Sequence, residues 1–116
     1  MLVTCAAEVD AKAMEMEGAR GVTMRVLLGP EAGAPTFAMR VFEVAPGGHT
    51  PMHAHDWEHE VYVLEGQGEA VSPERRLRLE PGVAALVTPG ETHQFVNTGS
   101  GTFRFLCLIP VQPGPC

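Results

Sequence analysis

Glycine and proline interrupt this chain at short intervals from residue 29 to residue 110. Thirteen glycines and ten prolines are spread over 116 residues rather than gathered in one tract. Glycine reaches backbone conformations closed to other residues, and proline removes an N–H donor, so both end regular elements. Between them the apolar residues alternate. Val22, Met24, Val26 and Leu28 are interleaved with Thr23, Arg25 and Leu27, and a period of two predicts a strand over 22–28. Residues 36–45 carry Phe37, Met39, Val41, Phe42 and Val44 and predict a second strand, rich in β-branched and aromatic side chains. Pro46-Gly47-Gly48 breaks it. Further strands are predicted over 49–55, 59–65, 69–72, 76–80, 83–88, 92–97 and 102–109. About nine or ten short strands, with turns every 8–12 residues or so, describe an all-β fold: a sandwich or a small antiparallel barrel.

One domain is expected at this length, because no linker separates two cores. Its body is placed at 21–110. Residues 1–20 read as an N-terminal arm with some helical propensity at 11–17, cut short by Gly18 and Gly21, its methionines a core stripe or an edge strand, and free to pack on a partner subunit. Residues 111–116 read as a frayed tail. A core of this size is modest, so a homodimer is expected. The apolar strands at 22–28 and 36–44 are the candidates for edge contact between subunits.

Net charge is −6. An acidic surface repels phosphate backbones, which argues against a nucleic acid partner. Arg75, Arg76 and Arg78 form the one basic cluster and read as a solvated face. No apolar run approaches membrane-spanning length, and the first residues lack the basic segment of a secretory leader. Three cysteines, far apart and without a C-x-x-C pair, fit a reducing compartment, so a cytoplasmic location is expected.

Histidine is distributed unevenly. Four of the five histidines fall between His49 and His59, and the fifth is His93. Residues at i and i+2 of an extended segment share a face, so His53 and His55 can meet one ion. Asp56-Trp57 turns the chain, which returns His59 beside His55. His93 opens a late strand after a glycine turn, and strands distant in sequence become neighbours in a closed sheet. A lone histidine is usually a hydrogen-bonding residue. Four at these spacings make a metal site the better explanation, with His53, His55, His59 and His93 as its ligands. Imidazole suits one divalent transition metal ion such as Mn, Fe, Ni, Zn or Cu.

Two stretches also resemble a known family. Gly47, His53, His55 and Gly66 fit the first motif of the cupin superfamily, and Gly82, Gly90, His93 and Asn97 fit the second. Pro89 stands one place later than the family's proline, where this chain has Thr88. The intermotif segment runs from Gln67 to Pro81, as in compact microbial cupins. The segment Phe105-Leu106-Cys107-Leu108-Ile109-Pro110 is similar to their last strand. The family's usual third ligand is a glutamate. Here His59 and Glu60 compete: spacing to Gly66 selects His59, and the gap after His55 selects Glu60. They point to opposite faces of a strand, so one enters the barrel. The run H-x-H-x-W-E-H-E looks like compact cupins with four-histidine sites, which favours His59.

The resemblance implies a cupin jelly-roll barrel and a metal-dependent enzyme acting on a small carboxylate, hydroxy-acid or sugar-like molecule. Dioxygenase, decarboxylase and isomerase chemistry all fit it. The alternative is a non-catalytic module that binds metal or a small ligand, or acts as a sensor. No catalytic acid or base is singled out. Trp57 reads as packing or a pocket wall, and Tyr62 and Cys107 as core. Gln94 and Asn97 read as partners of the backbone, and Arg40 and Glu43 as residues strand parity leaves unplaced.

Overall fold

The computed structural model describes residues 1–111. The predicted tail therefore lies outside the described residues from 112 onward. Nine strands form one antiparallel sheet: β1 (Lys12–Ala13), β2 (Arg20–Leu28), β3 (Phe37–His49), β4 (His59–Glu65), β5 (Gly68–Val71), β6 (Arg76–Leu79), β7 (Ala84–Val87), β8 (Gln94–Asn97) and β9 (Phe103–Pro110). Their order is β6-β5-β8-β3-β9-β4-β7, with β2 on the other edge of β3 and β1 on β2. The sheet curls until its two ends, β6 and β7, meet at the turn that joins them. Gly82 N donates to Val63 O at 3.1 Å and Val63 N to Val83 O at 3.0 Å, which ties that turn to β4. The result is a nearly closed β-barrel of jelly-roll form.

Alternation builds the core. On β9, Phe103, Phe105 and Cys107 are buried, while Arg104, Leu106 and Leu108 between them are partly exposed. Phe105 lies opposite Phe42 of β3 in the ladder, and the two rings stack at 5.3 Å. Phe95 and Phe103 each approach Phe105 at 5.1 Å. Val44, Val61, Val63 and Val87 complete the packing. Each such aromatic side chain contributes about 1.5–3 kcal/mol by leaving water. Asn97 closes one end, giving its amide to Val44 O and Gly101 O at 2.8 Å each and accepting from Gly99 N.

Several expectations need correction. Pro46-Gly47-Gly48 does not end the second strand, which continues to His49. The ladder to β2 shifts register between Arg20 and Val22, pairing Arg20 with His49 and Val22 with Val44. The extra residues bulge outward, and Gly47 takes φ 78 to allow it. Residues 50–58 are not a strand; they cross the barrel end with a single bridge, His53 to His93. The arm is not helical at 11–17. It makes a short 3-10 turn at Ala6–Glu8 and then pairs through β1 with Thr23 and Met24. Arg25 Nη1 holds it by donating to Ala6 O and Val9 O. Strand β3 is paired along both sides, so it has no free edge for a second subunit. Tyr62 is not core: it is 48% exposed on the outer face. Among the described residues, no helix is long and apolar enough to cross a membrane.

Candidate metal centre

Two crossing segments and one strand set the histidines at the same barrel end. His53 N donates to His93 O at 3.0 Å and His93 N to His53 O at 2.9 Å. That reciprocal pair fixes the two backbones face to face. Thr50 N to Phe95 O and Phe95 N to Thr50 Oγ1 extend the zip on one side, and Gly90 N to His55 O on the other. His59 opens β4 opposite Val87 and points inward with Val61 and Val63.

The four side chains converge. One ring nitrogen from each of His53, His55, His59 and His93 lies within 4.8 Å of all the others. His59 and His93 are buried, whereas His53 and His55 are half-buried, so the cluster faces solvent on one side. Glu60 is exposed on the opposite face of β4. His49 is apart from the group and contacts Thr50 O and Gln94 Nε2 at 3.3 Å each.

The outer nitrogen of three rings is already engaged. His55 Nδ1 meets Trp57 O at 3.0 Å, His93 Nδ1 meets Glu91 O at 2.9 Å, and His59 Nδ1 meets Cys107 Sγ at 2.8 Å. A carbonyl oxygen only accepts, so His55 and His93 carry their hydrogen on Nδ1 and a lone pair on Nε2. With Cys107 as acceptor, His59 does the same. His55 Nε2 and His59 Nε2 then face each other at 2.7 Å. Two lone pairs at that distance repel unless a proton or a cation lies between them.

An added proton is disfavoured. Burial pushes His59 down to about 2, helped by the Arg40 guanidinium and by the other three histidines. Burial also lowers His53, aided by His93 and His55. His93 is lowered by burial too, against the opposing pull of its bond to Glu91. Neutral imidazoles with inward lone pairs are the form a metal ion requires, so the residues present fit one.

These shifts make the metal-free protein acid-sensitive. In the unfolded chain the imidazoles take protons near 6.5, but the folded cluster resists them. The unfolded state therefore binds more protons at acidic pH, and folding stability falls as pH drops below the unfolded value. The melting midpoint of chelator-treated protein is expected to be flat above about pH 7 and to fall steadily from there to about pH 5. A midpoint that stays level across that range contradicts the buried, neutral cluster.

Trp57 stacks flat on His55, with ring centroids 4.4 Å apart and an angle of 5°. It braces His55 rather than filling core. Gln94 donates to Thr50 O and Asn97 to backbone carbonyls, as expected. Arg40, which sequence parity left open, is buried behind His59, while Glu43 lies outside and pairs with Arg25 and Arg104. The signal was its spacing from Phe42 and Val44, which share its face. Met14 of the arm was not expected near the site, yet it packs over the barrel bore beside His53, His59 and His93.

Two spaces adjoin the cluster. The bore beneath Met14 is only about 20 Å³ and is lined by Phe42, Phe95 and Phe105 among others. A slot of about 350 Å³ opens between β5–β6 and β7 and reaches His93. Its lining is mostly apolar, including Val71, Leu79, Val83 and Val87, with Arg75, Arg78 and Glu91 as its charged residues beside His93. Larger clefts under Phe37 or against Tyr62 lie on the outer face, away from the histidines.

The family model for the cupin domain matches residues 40–109, more than half of the chain. The chain belongs to the cupin family. This cupin is similar in structure to the polyketide cyclase RemF from Streptomyces resistomycificus, with a TM-score of 0.92 and 39% identity, covering 99% of this chain and 82% of that one. It is 32% identical to 1-methylthio-D-xylulose 5-phosphate methylsulfurylase from Rhodospirillum rubrum over 90% of this cupin and 67% of the relative. It is 29% identical to the tetracenomycin polyketide synthase protein TcmJ from Streptomyces glaucescens, over 97% of this cupin and 78% of the relative. The relatives' names are those of different reactions, so membership of the cupin family does not choose among them.

Proposed function

We propose that this cupin is a metal-dependent enzyme acting on a small, oxygen-rich organic molecule, and that the substrate is a polyketide-like chain of ketones. The carrying observation is the slot at His93: a largely apolar cleft of about 350 Å³ that reaches one of four convergent imidazoles. His53, His55, His59 and His93 would hold one divalent transition metal ion. Bound there, it supplies Lewis acidity, which polarises a carbonyl oxygen and acidifies the adjacent C–H. The names of RemF and TcmJ support a polyketide substrate, and 39% identity over 99% of the chain gives the first of them weight.

The chain's own residues supply the rest. Val71, Leu79 and Val87 exclude water from the substrate's carbon skeleton. Glu91 is the carboxylate lining the slot. Its Oε1 accepts from Thr88 N at 3.1 Å and Thr88 Oγ1 at 3.2 Å, which orients the group. We assign Glu91 as acceptor of the proton released from the carbon between two carbonyls. The freed electron pair attacks a second carbonyl of the same chain, forming a C–C bond. Glu91 returns the proton to the new alkoxide oxygen, and loss of water completes the ring.

An exposed apolar face, with Phe37, Tyr62, Leu64 and Leu86 on β3, β4 and β7, supports the homodimer, and sedimentation velocity checks it. The cytoplasmic location rests on the absence of a cysteine framework alone. One observation favours a second reading, a non-catalytic ligand-binding module: the bore beside the ligands is nearly filled by apolar side chains.

An aryl 1,3,5,7-tetraketone, in which the carbon between the first two carbonyls can close a six-membered ring on the last, separates the two when offered to metal-loaded protein. The enzyme reading expects a ring-closed aromatic product, heavier by nothing and lighter by one water, seen by absorbance and mass. Chelator-treated protein and Glu91→Gln should give none, and Glu91→Gln should keep its metal. Reversible binding of the tetraketone without product would favour the module instead.

A further inference from the structure

We infer that Arg40 and Cys107 are positioning residues for the metal site, holding His59 in the one tautomer that turns the Nε2 lone pair toward the other three histidines. The inference rests on the metal assignment above and adds what stands behind one ligand. Arg40 of β3 and Cys107 of β9 are opposite in the ladder, and Cys107 is opposite Val61 of β4, two residues from His59. The register therefore delivers all three side chains to one point inside the barrel.

Arg40 is 2% exposed. A guanidinium stays charged in proteins, and burying a charge is costly unless its surroundings answer it. Among the described residues its hydrogen bonds reach no carboxylate. Nη2 donates to Cys107 Sγ at 3.0 Å and lies 3.4 Å from His59 Nδ1. Nη1 reaches Met24 Sδ at 3.6 Å, and the group sits 4.9 Å over the Phe42 ring. Arg40 Nε has no hydrogen-bond partner among the described residues. This is poor compensation for a structural cation, but it is directed at the back of His59.

Two tautomers compete at His59. In one, Nδ1–H donates to Cys107 Sγ, while the sulfur also accepts from Arg40. In the other, Nδ1 takes a bond from Arg40 and Nε2–H points at His55, which blocks a metal. The sulfur contact at 2.8 Å is shorter than the Arg40 contact at 3.4 Å; Arg40 donates to that sulfur, which leaves it as the acceptor for Nδ1–H, and we assign the first tautomer on that arrangement. Partners of this kind orient the ring and raise its basicity as a ligand.

The experiment uses the full chain labelled with ¹⁵N-histidine, metal-free and zinc-loaded. Long-range ¹H–¹⁵N correlation spectra should show His59 protonated on Nδ1 and bare on Nε2 in both forms. Cys107→Ala and Arg40→Met should each weaken zinc binding by roughly 10- to 100-fold. Cys107→Ser, which keeps an acceptor, should restore most of it, and the visible spectrum of the cobalt-loaded variants should shift in the same order. His59 protonated on Nε2 in the metal-free protein would overturn the inference, as would unchanged zinc affinity in Cys107→Ala. The tautomer of the parent decides the matter even if the variants do not fold. A parent with the expected tautomer that binds no zinc would sink the metal assignment instead, which keeps the two failures apart.

Discussion

Replacing His59 with Ala should cost this protein its metal, and replacing its neighbour Glu60 with Gln should not. The two are adjacent on β4, but His59 is buried in the cluster and Glu60 lies on the outer face. If four imidazoles share a binding free energy of about 10–16 kcal/mol, losing one removes roughly 2.5–4 kcal/mol, or about 100- to 1,000-fold in Kd. The loss is deepened by geometry. Without His59, the inward nitrogen of His55 loses the group that faces it at 2.7 Å. Glu60 contributes no atom to the barrel interior, so its substitution leaves the donors in place. Metal per chain after dialysis, measured for parent and both variants, is the check. Metal kept by the His59 variant and lost by the Glu60 variant would reverse the assignment.

The second large effect is on stability. Gly66 ends β4 with φ 81, a conformation that costs an L residue about 1–2 kcal/mol. A Cβ there would also strike the Thr102 carbonyl oxygen and come within 2.9 Å of Phe103 Cα. Both obstacles are backbone of the segment leading into β9, so neither can swing aside. Gly66→Ala should therefore lose about 3–5 kcal/mol, a fall of roughly 15–30 °C in Tm. Gly101→Ala is the control, because a Cβ there meets nothing within 4 Å. Its Tm should stay within about 3 °C of the parent, as for surface changes of ±0.5 kcal/mol. Equal melting of the two variants would contradict this packing of β4 against β9.

The same glycine shows what the sequence conveys. Gly66 is a motif position, and its backbone demand is local, so the residue type announces it. The strands were legible for the same reason: Phe103, Phe105 and Cys107 alternate with partly exposed neighbours, and alternation survives in one dimension. His53, His55, His59 and His93 were legible because their residue type is rare and their spacing tight. Where the chain runs between layers, local rules lost to the ladder. Pro46-Gly47-Gly48 carries every mark of a strand end, yet the chain continues because β2 and the Phe95–Thr50 contact hold both flanks. The strand expected at 49–55 gives way to a crossing over 50–58. Met14 and the partners of Arg40 were beyond reach for another reason. Nothing near Met14 in sequence says that an arm folds over the bore, and the contact of Arg40 with Cys107 depends on the β3–β9 register.

The central claim is that four histidines of this cupin hold one transition metal. The most direct measurement is X-ray absorption at the metal edge of the full chain, with metal per chain determined on the same sample. About one ion per chain is expected, with the outer-shell scattering of several imidazoles, no sulfur in the first shell, and the Glu60→Gln spectrum superimposable on the parent. A sulfur neighbour, a shell of oxygens without imidazole, or protein that stays metal-free after exposure to zinc, manganese and iron would contradict it.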